Sequence, residues 1–400
     1  MNGVNGHQKA VPNRLFASTA PQLDDFKKIC SQTTNTSTYP LAASIERNIP
    51  IYDASALDVS SPDAVQNEWH HALASGPGVF VLKNMYNTVQ YDTILASTDA
   101  AFQRIIKHEQ QITGAVKGDH FAAGGRNNRI WNSFSKHALD DPASFVEYYS
   151  NPWLRLVSET WLGPAYRVTA QVNIVKPGGA AQDSHRDYHL GFQVEDSCSK
   201  FPAAMQIASQ YLTLQGAVAH SDMPLASGPT RFLPFSQTYP PGYLAYRREE
   251  FRAYFQENYV ALPLSLGDGV FFNPALFHAA GANETALEDD FHRKANLLQI
   301  SSAFGKPMET VETVPLINAC WDVMRERYRT AGGLDGGLGD FVKAVAEGYP
   351  FPTNLDRRPP APSGMAPESE QEIVMRGLEG GWERERVVEE LERMIRDSKA

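Results

Sequence analysis

Apolar residues recur along this chain with two different periods, and the period separates its regions. Short runs of branched and aromatic residues from Ile49 to Tyr52 and from Val79 to Leu82 predict strands. Between them, Ser61 followed by Pro62 opens a stretch to about residue 75 with a capping hydroxyl and a proline suited to a first helical turn. Ile94, Phe102, Ile105 and Ile106 share one stripe, which predicts a longer helix over about residues 88–113. Residues 165–305 differ, because apolar positions there alternate and Gly and Pro are frequent. That pattern predicts a strand-rich core of two packed antiparallel sheets. The expected fold class is α+β, mainly β with flanking helices.

The two ends depart from this pattern. Residues 1–45 are polar and rich in Ser, Thr, Asn and Gln, which predicts a flexible N-terminal arm that wraps or frays. After a helix expected at about 315–330, the proline-rich stretch from Asn354 to Pro367 cannot stay helical. From Trp382 onward, Val387, Val388, Leu391, Met394 and Ile395 fall on one side of an amphipathic helix. Such a stripe docks on its own domain, with a homodimer through this helix as the alternative. The expected division is an arm 1–45, a main domain 46–310 with N-terminal helical support, and a helical extension 311–400 that includes a linker at 352–367.

Composition narrows the function. A chain of 400 residues with 42% hydrophobic content can bury a large core, and a formal charge of −10 argues against a general nucleic-acid surface. Cys30, Cys198 and Cys320 are few, odd in number and far apart, so neither a disulfide framework nor a zinc motif is expected. No apolar run approaches a membrane span, and the first residues show no secretory signal. Ser398-Lys399-Ala400 and the pair Arg14-Leu15 with Gln22-Leu23 each miss a peroxisomal address by one residue, so the cytoplasm is the expected compartment.

The candidate chemistry lies in the strand-rich region. His185 and Asp187 are two residues apart and would point to one side of an extended segment, where a distant His278 can complete a three-ligand face. Two neutral imidazoles and one carboxylate hold Fe(II) on one face of an octahedron and leave the opposite face open. Both places follow strand and turn: Tyr166–Val175 runs into Pro177-Gly178-Gly179, and Gly267-Asp268-Gly269 leads into Val270, Phe271 and Phe272. His70 and His71 read as ordinary helix residues, and His189 as a neighbour of the pocket at most. His120 lies in a glycine-rich stretch with Arg126, Arg129 and Trp131, the composition of a mobile lid or a plain surface loop.

Five stretches in order, at residues 181–188, 227–236, 267–274, 278–283 and 293–295, resemble the phytanoyl-CoA dioxygenase family of Fe(II)- and 2-oxoglutarate-dependent oxygenases. The resemblance covers about residues 165–305, with weaker similarity from about residue 50. It implies a double-stranded β-helix, the jelly roll of cupin-like proteins. It implies that His185, Asp187 and His278 are the iron ligands, and that Arg293 pairs with the distal carboxylate of 2-oxoglutarate through its fork of donors. Thr230 resembles the family's hydroxyl at that carboxylate, and Gln182 the amide near the keto-acid end. Co-substrates would be 2-oxoglutarate and O2. A small organic substrate, from secondary or fatty-acyl metabolism, would be hydroxylated, desaturated or cyclised with release of succinate and CO2. The intact Asp187 favours these outcomes over halogenation, for which relatives carry a small residue at this place.

The chain departs from its relatives in two ways. Glu284–Asp290 adds an acidic loop between His278 and Arg293, and Pro234-Phe235-Ser236-Gln237 stands where relatives read Pro-Gly-Ser-His. A cupin-type iron dioxygenase without a keto acid would have no need of Arg293, and a non-catalytic jelly-roll binding protein would not bind iron. Lys117, Arg126, Arg129 and Lys136 suit the phosphates of an acyl-CoA, whereas the aromatic content equally suits a neutral terpenoid, alkaloid or polyketide.

Overall fold

The computed structural model describes residues 11–113 and 126–400. After α1 (Leu23–Cys30), the short β1 (Ser44–Glu46) and β2 (Ile49–Asp53) precede α2 (Asp63–Ala74), β3 (Val79–Lys83) and the long α3 (Thr88–Thr113). Strand β4 (Asn127–Ile130) leads through α4 (Ser133–Asp140), α5 (Pro142–Tyr149) and α6 (Pro152–Leu162) to β5 (Tyr166–Val175). Then α7 (Glu195–Ser199) and α8 (Ala203–Ala208) interrupt the path to β6 (Thr213–Ala219). There follow β7 (Arg231–Phe232), α9 (Glu249–Asn258), β8 (Gly269–Phe272), β9 (His278–Ala279) and β10 (Arg293–Ser302). Four helices come last: α10 (Thr313–Ala331), α11 (Gly336–Val345), α12 (Glu370–Glu379) and α13 (Arg384–Ser398).

Eight strands form one sheet in the order β1-β2-β3-β8-β6-β10-β5-β4, with β7 and β9 paired separately. The α+β class is as expected, but the two layers are unequal. The large sheet is mixed, because β2 and β3 run parallel while its other pairs are antiparallel. The second layer is reduced to β7–β9 and the isolated bridges His185–His278, Met223–Leu264 and Phe232–Val260. Prolines explain the shortening: Pro224, Pro229, Pro234 and Pro274 fall along this layer, and each removes a backbone donor.

The large sheet sorts its residues by face. On β5, β6 and β10, Val168, Ala170, Leu214, Val218, Leu298 and Ile300 join Phe271 in a buried cluster with Trp153, Trp321 and Phe341 of the covering helices. The intervening residues face the other way, toward the site described below. Helices α5 and α6 open on Pro142 and Pro152, with Asp141 and Asn151 accepting backbone N–H bonds just before them. These helices, together with α4 and α11, lie in stretches that the hydrophobic pattern left unassigned.

The arm expected to be flexible is anchored from α1 onward. Phe26 is fully buried, its ring 5.2 Å from Tyr239, 5.1 Å from Phe251 and 4.8 Å from Phe277. Phe26 and Tyr39, which is 3% exposed and meets His71, are buried aromatic anchors inside a polar segment, which average composition hides. At the other end, Val387 and Leu391 of α13 enter the main buried cluster beside Leu316 and Trp321. The packing therefore continues across residue 310, and residues 352–367 contain neither helix nor strand. Among the described residues, no helix is long and apolar enough to cross a membrane.

Candidate active site

His185 and His278 face each other across an antiparallel bridge. The His185 N–H donates to His278 O at 2.9 Å, and the His278 N–H returns to His185 O at 3.1 Å. The Asp187 N–H donates to Pro274 O at 2.8 Å, which keeps the segment extended and brings the Asp187 side chain to the side of His185. Asp187 Oδ2 lies 3.7 Å from His185 Nε2 and 3.8 Å from His278 Nε2. Taken one atom per residue, the ligand atoms are all within 4.8 Å of one another, and no other such trio occurs among the described residues.

The outer nitrogens fix the tautomers. His185 Nδ1 lies 2.8 Å from Asp183 O, and His278 Nδ1 lies 2.8 Å from Leu276 O. A carbonyl only accepts, so each Nδ1 carries its hydrogen and each Nε2 presents a lone pair to the shared space. Burial pushes the Asp187 carboxyl up, but the two histidines and a 2.8 Å bond from Gln215 Nε2–H outweigh it and hold the group well below the usual range. Burial and the nearby His278 push the His185 imidazole below its ordinary pKa. Two nitrogen lone pairs and one anionic oxygen on a single side are a donor set suited to Fe(II).

These three side chains open onto a cavity of about 380 Å³ that Arg293, Thr230 and Gln182 also line. Of three consecutive basic residues, His292 binds Asp290 at 3.0 Å and Lys294 binds Asp99 at 2.9 Å, while Arg293 enters the cavity. The Arg293 guanidinium is buried and donates to Asn173 Oδ1 and Gly281 O, each at 3.3 Å. The acidic insertion leaves this register intact because Asn283 Nδ2 donates to both Val175 O and Phe291 O, closing the base of the loop. Gln182 Oε1 accepts the Ala280 N–H at 3.2 Å, and Thr230 is half-buried.

Sequence reasoning missed the side chain between His185 and Asp187. Arg186 points away from the cavity and is 2% exposed, with its guanidinium 5.1 Å from the Tyr243 ring and 5.2 Å from the Phe277 ring. It donates to Ser236 O at 2.6 Å and Tyr239 O at 3.1 Å, and burial lowers its pKa to about 10. Gly242 makes the room, since a Cβ there would overlap the guanidinium. Phe277 directly precedes His278, and Tyr243 Oη donates to Asp187 O at 3.2 Å. One buried cation thus packs against both the His185–Asp187 and the Phe277–His278 segments. The turn at Pro234–Gln237, a departure from relatives, supplies its Ser236 acceptor. The available signal was strand alternation: a residue between two ligands on an extended segment must point to the opposite side.

Also unread were Gln171, Gln215 and Gln299, which line the same cavity. Each stands next to buried apolar residues on its strand, Ala170 and Val172, Leu214, or Leu298 and Ile300, which was the available clue. Arg129 lines the cavity too, on an edge strand rather than a loop. His189 lies in the short turn after Asp187 and is not part of the cavity wall. His70 and His71 belong to α2, where His71 Nδ1 meets Tyr39 Oη at 2.9 Å. Lys117 and His120 lie outside the described residues.

The family model described as Phytanoyl-CoA dioxygenase (PhyH) matches residues 75–288, a span that holds His185, Asp187, His278, Thr230 and Gln182 and ends before Arg293. A comparison with curated proteins gives no match. Among solved structures, the chain is similar to the epimerase SnoN in complex with Fe3+, alpha ketoglutarate and nogalamycin RO, at 16% identity and a TM-score of 0.41, over 60% of this chain and 85% of that one. It is similar to the carbocyclase SnoK from nogalamycin biosynthesis at 17% identity and a TM-score of 0.41, over 59% and 83%. It is similar to EctD from S. alaskensis with bound Fe at 18% identity and a TM-score of 0.42, over 60% and 78%.

Proposed function

The chain belongs to the phytanoyl-CoA dioxygenase family, and from that premise we propose that it is a non-haem iron oxygenase using 2-oxoglutarate to oxidise a compact organic molecule. His185, Asp187 and His278 hold the iron, and Arg293, with Thr230 and Gln182, holds 2-oxoglutarate. The observation that carries this reading is the convergence of three ligand atoms and a buried guanidinium on one cavity.

When bound, the iron and keto acid supply the activation of O2 and the removal of hydrogen from an unactivated carbon, with succinate and CO2 released. The residues of the chain do the rest. The two Nε2 lone pairs and the Asp187 carboxylate would hold the ion from the protein side of the cavity. Asp187 also offsets half of a divalent charge. The Arg293 fork matches a carboxylate with parallel donors, orienting the co-substrate from its far end. Met223, Leu264, Val270 and Phe272 line the cavity with apolar surface and exclude water. The carboxylate at position 187 favours hydroxylation, desaturation or ring formation over halogenation.

An anaerobic Fe(II) titration followed by 2-oxoglutarate tests the reading. Stoichiometric iron binding, a visible iron-to-keto-acid absorption band and succinate release that requires 2-oxoglutarate are expected. Turnover without the keto acid would place the protein among oxygenases that do not use it.

A further inference from the structure

Asp187 is gripped from a part of the fold that carries none of the three ligands. His185 and His278 meet across a bridge of the small layer, and His278 lies on β9. Gln215 belongs to β6, an interior strand of the large sheet, and its Nε2–H donates to Asp187 Oδ2 at 2.8 Å. A carboxylate only accepts, so the nitrogen end of the amide is the end that faces it. Oδ2 is also the oxygen that lies 3.7 Å from His185 Nε2 and 3.8 Å from His278 Nε2. One amide thus holds the oxygen set between the two imidazoles. Phe272, directly opposite Gln215 on β8, meets another ligand, its ring 4.7 Å from that of His278.

Packing does not explain a glutamine here. Gln215 is 3% exposed, and its Oε1 is buried with no hydrogen-bond partner among the described residues. An unpaired buried acceptor destabilises a fold, and the next residue on the same side of β6 is the apolar Ala217, which also lines the cavity. An apolar side chain at 215 would avoid that penalty, so the favourable contact of the amide is the one with Asp187. We propose that Gln215 is a positioning residue for the metal centre: its amide fixes the rotation of the Asp187 carboxylate, so that Oδ2 is already aimed between the two Nε2 lone pairs when a divalent ion arrives. This rests on the assignment of His185, Asp187 and His278 as the iron ligands. Without the bond, the carboxylate loses its rotational freedom only on binding, and affinity falls by that loss.

The test titrates the full-length, metal-free protein anaerobically with Fe(II) alone against a competing chromogenic chelator, for the parent, Gln215→Met, Gln215→Asn and Gln299→Met. Methionine keeps the length of glutamine without the donor, and asparagine keeps the amide but is one methylene shorter. Gln299 is the control: it is the cross-strand partner of Gln215, lines the same cavity and also has an unpaired Oε1, but it makes no bond to Asp187. Both substitutions at 215 should weaken Fe(II) binding roughly ten- to a hundredfold, the usual effect of losing a group that orients a metal ligand. Gln299→Met should bind as the parent does. Urea midpoints of the metal-free proteins are read alongside, and a loss of affinity that merely follows loss of stability across the four proteins would overturn the positioning role. If the parent takes up no Fe(II), the ligand assignment fails and the role of Gln215 falls with it. If the parent binds Fe(II) but a folded variant at 215 binds as tightly, or Gln299→Met weakens binding as much, the positioning role alone is overturned.

Discussion

The two faces of β5, β6 and β10 are built from alternate residues of the same strands, yet they obey different rules. The helix-covered face carries Val168, Ala170, Leu214, Val218, Leu298 and Ile300, each fully or almost fully buried against other apolar groups. The cavity face carries Gln171, Asn173, Gln215, Arg293 and Gln299, polar groups of which the Gln215 and Gln299 side-chain oxygens have no hydrogen-bond partner among the described residues. The first face has all its partners in the fold. The second gathers polar side chains around a cavity, which is what a binding surface must do. The difference teaches that stability and chemistry separate here by a period of two residues rather than by domain.

Asp187→Ala should break the cavity face alone. Turnover should vanish and anaerobic iron affinity collapse, while thermal unfolding stays close to the parent; a variant that unfolds as readily as a core mutant would defeat the separation. Leu298→Ala is the reciprocal change, expected to cost about 2–5 kcal/mol of unfolding free energy in urea, with the folded fraction still turning over. Arg293→Leu should raise the Michaelis constant for 2-oxoglutarate by roughly one to three powers of ten, with Arg293→Lys between it and the parent. His292→Ala should leave that constant alone, because His292 is occupied by Asp290 outside the cavity.

Arg186 sharpens the comparison because it belongs to neither face. Arg186→Met keeps much of the packing but loses the bonds to Ser236 and Tyr239, so iron affinity should fall roughly ten- to a hundredfold. Removing a buried cation that has no carboxylate partner should cost less stability than Leu298→Ala does. The smallest effect concerns pH. Burial holds His220 down at about 4 and His137 at about 3, against an ordinary 6.5. The unfolded chain takes up these protons near 6.5 and the folded chain only well below, so their contribution is whole above 6.5 and fades as pH falls toward 4. Urea midpoints between pH 7.5 and 4.5 should show this decline, and His220→Gln should flatten part of it.

The sequence was most legible where chemistry or period acts locally. Tyr166–Val175 and the helix at 88–113 could be bounded from pattern alone, and His185, Asp187 and His278 could be grouped because few side chains suit a metal. Arg293 was preferred to His292 and Lys294 only through the resemblance at Arg293-Lys294-Ala295, because the acidic loop obscured the spacing. What stayed hidden depends on contacts between distant segments. Helix α5 buries Phe145, Val146, Tyr148 and Tyr149 on several sides, so it shows no single stripe. Phe26 is an anchor only because Tyr239, Phe251 and Phe277 surround it. The second sheet was overread because alternation continues through segments whose prolines prevent pairing.

The mutual backbone bonds between His185 and His278 tie the trio to a single strand register. A slip of one residue in that pairing would bring Phe277 or Ala279 opposite His185 and turn the imidazole of His278 to the far side. Chains caught in such an arrangement would still bury much of their apolar surface, yet could assemble no ligand trio. Metal uptake would then act as proofreading during maturation, loading only molecules whose strands have found their correct alignment and leaving the misaligned ones without the added stability of a bound ion.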